Sequence, residues 1–128
     1  MRDNRGNLSI EFAILFPLFL LLAIGMFDIG MLIIERMQVE FATESAAKCF
    51  ATNQNPPNPN PNPICATPTA TAVYAAGLLP AVLGISASNF SAVLDPTCGG
   101  SVTVNYTYVP MILPSNIPLR TSACYFAG

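Results

Sequence analysis

The chain has no histidine, and charge is scarce: five basic and seven acidic residues in 128, or 9%, against roughly 25% in an ordinary soluble domain. Without histidine, Ser-His and Cys-His nucleophile systems and histidine metal sites are excluded. Beyond Lys48 the only carboxylate is Asp95, so the C-terminal part holds no pair for acid–base work. Gly99-Gly100 stands alone rather than in a phosphate-binding loop. No basic patch interleaves with the aromatics, so nucleic acid is not a partner to expect. The reading is a non-enzyme, with no cofactor, no metal and no small-molecule substrate.

What is present is unevenly placed. The apolar fraction is 52%, and most of the large aliphatics lie between residues 8 and 34. Phe12 to Phe27 carries no charge and as a helix extends about 24 Å, short of a hydrocarbon core of about 30 Å. Continuing through Asp28 to Ile34 brings the length to about 34 Å, enough to span with tilt. Residues 7–34 are therefore expected to be a transmembrane helix in a lipid bilayer. Arg2 and Arg5 crowd the residues before the span, while Arg36 and Lys48 are spread out after it. This places the N-terminus, residues 1–6, in the cytoplasm. All four cysteines follow the span, which suits an oxidising compartment on the far side.

Helical spacing continues over residues 35–52, where Val39, Ala42, Ala46 and Cys49 or Phe50 recur at three- and four-residue steps. Arg36 with Glu40 and Glu44 with Lys48 would pair on the exposed face. One long helix from residue 8 to about 51 follows, with a kink expected at Pro17. Residues 53–64 alternate Asn and Pro and read as an exposed, polyproline-like spacer.

Residues 65–128 read as a small α+β extracytoplasmic domain. Thr69 to about Leu83 is a candidate second helix. Gly100–Val109 alternates as a half-buried strand with Ile117–Phe126 as its antiparallel partner, and residues 85–94, before Asp95-Pro96, supply a third strand. The cysteines admit three pairings. Cys49–Cys65 with Cys98–Cys124 is favoured, because the first pins the Asn/Pro loop to the helix end and the second ties two strand ends together. Closing the first loop is worth about 3 kcal/mol in the chain-entropy model.

The chemistry concentrates at the start of the helix. Gly6 precedes the hydrophobic stretch and Glu11 is the fifth residue after it, followed by Phe12. A carboxylate at the mouth of a membrane helix is costly unless paired. Cleavage after Gly6 would release the α-amino group of Asn7 about one helical turn from Glu11. In a filament, the amine of an incoming subunit would neutralise a neighbour's carboxylate and fix axial register. Alone, Glu11 would suit a helix N-terminus through the macrodipole; with Gly6 at that spacing, processing leads.

The run Gly6-Asn7-Leu8-Ser9-Ile10-Glu11-Phe12-Ala13, then Phe16-Pro17-Leu18 and Asp28-Ile29-Gly30, resembles the TadE-like family of tight-adherence, Flp-type pilus systems. Val102-Thr103-Val104-Asn105-Tyr106 with Pro110 adds the family's β-rich ending. The resemblance implies a pseudopilin or minor pilin in the bacterial inner membrane with a periplasmic C-terminal domain. Its implied partners are a prepilin peptidase, other pilin-like subunits and the pilus assembly machinery. Gly6 and Asn7 would flank the scissile bond, and Glu11 and Phe12 would serve processing or assembly. The family often carries a basic residue just after the Asp-x-Gly; here it is Met31, leaving Asp28 as an intramembrane or headgroup-level contact of open role. Two other readings compete: a cut at Ala23-Ile24-Gly25 by ordinary signal peptidase, and a permanently anchored, unprocessed periplasmic interaction domain.

Overall fold

The computed structural model describes residues 5–54, 62–111 and 114–126, with side chains from Ser9 onward. Its backbone is one long helix bearing a small α+β head on its second half. Helix α1, Arg5–Gln54, has 50 residues and is therefore about 75 Å long. It runs through Pro17 without interruption and ends three residues beyond the expected stop, so Asn53 and Gln54 are helical rather than spacer. Spacer residues 55–61 lie outside the described residues, and at its end Pro63–Cys65 forms a short 3₁₀ turn capped by Asn62 rather than a polyproline-like stretch.

The two halves of α1 meet different surroundings. From Ser9 to Ile24 every residue is exposed, and Phe12, Leu15, Leu18, Phe19 and Leu22 point away from any protein surface. From Val39 onward the predicted stripe is buried, with Val39, Ala42, Thr43, Ala46, Ala47, Phe50 and Ala51 at 4% exposure or less. Four of these seven residues are alanine, small enough to allow close approach, and the head sits directly on that stripe. Thr43 is tolerated inside because its hydroxyl donates to the carbonyl of Val39 at 2.7 Å.

The head is a three-stranded antiparallel sheet in the order β1-β2-β3, formed by Phe90–Asp95, Gly99–Tyr108 and Ile117–Tyr125. Phe90 pairs with Val104, and Val102 pairs with Ala92 on one side and Ala123 on the other. In β2 the residues at Gly100, Val102, Val104, Tyr106 and Tyr108 are buried, while Asn105 and Thr107 face out. That alternation is the one expected of a sheet covered on a single face. Gly100 is where the strand comes closest to the helix: a Cβ there would lie 2.8 Å from the backbone nitrogen of Ala51.

Helix α2, Pro68–Gly77, packs against α1 and β1 through Thr71, Ala72 and Ala75. Thr67 caps it by accepting the amide of Ala70 at 3.1 Å, and Pro68 occupies the first turn, where its missing N–H costs nothing. The sequence predicted a helix running on to Leu83. It stops at Gly77 because glycine holds a helix poorly and Pro80 disfavours helical backbone just before it. Ala81–Leu83 forms only a short 3₁₀ turn.

Candidate functional site

Three places carry the polar chemistry. The first is the beginning of α1. Gly6 and Asn7 lie in its first turn, where amide groups have no intrahelical acceptor and the helix frays readily. Glu11 is exposed one turn further along, a rise of about 6 Å from Asn7. Among the described residues it forms no ion pair. Phe12, beside it, is exposed and stacks on Phe16 with ring centroids 5.5 Å apart. The helix thus carries Gly6, Asn7 and Glu11 within its first two turns and leaves Glu11 open to another molecule.

The second place is Asp28, where the bare half of the helix gives way to the covered half. The Tyr108 hydroxyl, at the end of β2, donates to the Asp28 carbonyl at 3.1 Å. The Met111 amide donates to the Asp28 carboxylate oxygen Oδ1 at 3.2 Å. Burial, and secondarily the Asp28 carboxylate, push the Tyr108 phenol up from its ordinary value. Asp28 therefore clips the turn after β2 to the helix. Sequence reasoning missed this intrachain role. The available signal was Tyr108-Val109-Pro110-Met111, a strand end carrying a phenol and then a proline, which forces the chain out of the ladder.

The third place is the far end of the head, held by covalent bonds. Cys49–Cys65 and Cys98–Cys124 are paired, the same combination the sequence favours, with Cα separations of 5.9 and 6.0 Å. The first closes a separation of 16 residues at the end of α1. It is reinforced by Asn53, which donates from Nδ2 to the Asn62 carbonyl at 3.1 Å and accepts the Asn62 amide at 2.8 Å. Gln54 donates to the carbonyl of Ala66 at 2.9 Å. The second disulfide joins the β1–β2 turn to the end of β3.

Of the two expected helix pairs, Arg36 meets Glu40 at 2.9 Å. Among the described residues Glu44 and Lys48 do not pair; the Lys48 ammonium lies 5.9 Å from the centroid of the Tyr125 ring instead. An open groove of about 460 Å³ runs between this helix face and β3, lined by Glu40, Phe41, Glu44, Lys48 and Tyr125. Among the described residues the buried Tyr106 hydroxyl has no hydrogen-bond partner, and burial first, then the Glu35 carboxylate, push the phenol up. Among the described residues no group of three His, Cys, Asp or Glu side chains could hold a metal.

Comparison with known proteins picks out the helix rather than the head. Residues 6–48 match the family described as TadE-like protein. That segment begins at Gly6 and includes Glu11, Phe12 and Asp28. No curated protein and no solved structure matches the chain.

Proposed function

With residues 6–48 TadE-like, a pilin-like and pilus-associated kind of sequence rather than an enzymatic one, we propose that the chain is a pseudopilin or minor pilin of a tight-adherence pilus. A prepilin peptidase cuts it between Gly6 and Asn7. Before assembly it sits in the bacterial inner membrane with residues 1–6 cytoplasmic and the head periplasmic. The two disulfides suit that compartment, since periplasmic thiols are kept oxidised.

The observation that carries this reading is the bare half of α1. A helix exposed from Ser9 to Ile24 and apolar all round is stable only in lipid or among other such helices. Its one carboxylate there is Glu11, five residues after Gly6. In hydrocarbon that charge needs a counter-charge, and the freed amine of a neighbouring Asn7 supplies it. Other pilin-like subunits are thus the partners that complete the site. Phe12 and the apolar residues after it give them a packing surface.

N-terminal sequencing of the protein from cells expressing the pilus machinery tests the proposal. A chain beginning at Asn7 supports it. One beginning at Met1 or Arg2 overturns it in favour of a permanently anchored interaction domain, and one beginning at Met26 points to ordinary signal peptidase. The Glu11→Ala variant should still insert into the membrane but lose most of its processing or its piliation. Normal processing together with normal piliation in that variant would remove the role given to the carboxylate.

A further inference from the structure

The bare stretch from Ser9 to Phe27 is as long as a bilayer's hydrocarbon is thick, about 28 Å against about 30 Å. If those residues fill the hydrocarbon, Asp28 stands at the outer boundary and the head begins at the headgroups. The turn after β2 is fixed at that level, because Tyr108 and Met111 both hydrogen-bond to Asp28. The side chains it presents are apolar: Val109 is 69% and Met111 79% exposed, beside a helix whose Phe27 and Met31 are also exposed. From Val109 to Leu119 the sequence carries no charge at all. The opposite end of the head differs. There the β1–β2 turn bears Asp95, and Gly100 abuts Ala51, about 35 Å further along α1 from Asp28.

We propose that the β2–β3 turn, through Val109 and Met111, rests in the outer headgroup layer of the bilayer as a second membrane contact beside the helix. The occupant of this patch is lipid, because the patch is continuous with the span and pinned to the residue where the span ends. Two contacts would fix the head's rotation and tilt on the membrane, which a single helix leaves free. Apolar side chains at this depth gain burial, while the backbone, still among headgroups, keeps access to water. Two proline residues within the turn, Pro110 and Pro114, keep it from extending the β2–β3 ladder. This inference rests on the reading of Ser9–Phe27 as membrane-spanning.

The chain contains no tryptophan, so one introduced by substitution reports its own surroundings. Met111→Trp and Val109→Trp variants of the full chain are compared with Phe19→Trp in the span and Val93→Trp at the far end of the sheet. Each is reconstituted in phosphatidylcholine–phosphatidylglycerol vesicles whose acyl chains are brominated near the headgroups or near the bilayer centre. Mass spectrometry first verifies that both disulfides are intact in every variant. The expected result is blue-shifted emission from Met111→Trp and Val109→Trp, with about half of it lost to the shallow bromines and less to the deep ones, as interfacial indoles behave. Val93→Trp should lose none, and Phe19→Trp should be quenched most by the deep bromines. Turn variants as unquenched as Val93→Trp, with Phe19→Trp still quenched, overturn the proposal and leave the span standing. A blue shift that bromines do not quench also overturns it, by assigning the patch to a second copy of the chain. An unquenched Phe19→Trp removes the span itself and this inference with it.

Discussion

The two halves of α1 are built from the same kind of backbone and differ in what they ask of their surroundings. Up to Phe27 the helix is apolar on every side, with bulky Leu, Ile and Phe all exposed. From Val39 onward it buries one stripe made mostly of small residues, Ala42, Ala46, Ala47 and Ala51, while between Asp28 and that stripe Ile29, Ile33 and Ile34 are still exposed. Bulky residues all round suit a fluid neighbour that conforms to any shape, whereas small residues in a stripe suit a rigid sheet that must come close. The transition falls at Asp28, whose carboxylate and carbonyl both bind the head. On the reading proposed above, lipid or other such helices are the partner of one half, and the sheet is the partner of the other. This contrast accounts for why a chain that is 52% hydrophobic has so modest a protein core.

The sharpest way to break the comparison is to place the same charge in both halves. Leu18, in the middle of the bare stretch, is 64% exposed, and so is Met37 on the outer face of the covered half. By exposure alone, Leu18→Asp and Met37→Asp would be equivalent. Leu18→Asp should cost about 3 kcal/mol of membrane insertion, roughly a hundredfold in the partition. Met37→Asp, facing water, should stay within about 0.5 kcal/mol of the parent. The fraction of chain that withstands alkaline extraction from membranes reads both. Equal sensitivity at the two positions would mean that the bare half does not meet lipid.

A smaller effect sharpens the other side of the contrast. At Gly100 an added methyl would lie 2.8 Å from both the nitrogen and the Cβ of Ala51, and helix backbone has little room to yield. Gly100→Ala should therefore destabilise the head by about 1–3 kcal/mol. Around Gly25, in the bare half, nothing lies within 4 Å of such a methyl. Gly25→Ala should leave the urea midpoint of the head, measured in detergent, unchanged. A loss of filament assembly in that variant with an unchanged midpoint would identify Gly25 as a site of close helix approach between subunits. A Gly100→Ala head as stable as the parent would show that the sheet can retreat from the helix.

How much of this was legible beforehand depends on how local the signal is. The helix, its buried stripe and the strand pair were readable because periods of 3.6 and 2 are written in neighbouring residues such as Val39, Ala42, Ala46 and Phe50 or Val102, Val104 and Tyr106. Gly6, Glu11 and Phe12 stand out in the sequence because their spacing is short, and all three fall inside the matched segment 6–48. The end of α2 was set too late because alanine-rich sequence favours helix up to Leu83 by propensity, while Gly77 and Pro80 act as stops. The clip at Asp28 was not legible at all. Its partners lie 80 and 83 residues away, and only the folded register of β2 brings them alongside. The Glu44–Lys48 pair failed for a related reason: Tyr125, from the distant β3, stands beside Lys48.

The smallest predicted effect belongs to the end of the head farthest from Asp28, and it is a pH effect. Asp95 closes the β1–β2 turn: its Oδ1 accepts both the hydroxyl and the amide of Thr97, the amide at 2.8 Å. The Thr97 hydroxyl first and its amide second hold the Asp95 carboxyl below the ordinary range, against a minor opposing contribution from burial. A carboxyl whose folded value is depressed binds its proton more readily in the unfolded chain. Its contribution to stability is therefore fully present above the unfolded value, about 3.9, and disappears as pH falls through the lower folded value. The stability difference between the parent and Asp95→Asn should accordingly be flat from pH 7 to about 5 and should narrow only below about 4. The carboxylate is solvent-exposed, so the difference should be small even at its plateau. Urea midpoints taken across that range, with both disulfides intact, measure it. A difference that first changes near neutrality, or that persists undiminished well below the ordinary carboxylate range, would mean that it does not come from the Asp95 charge, and no difference at any pH would mean that the Cys98–Cys124 bond holds the turn without that charge.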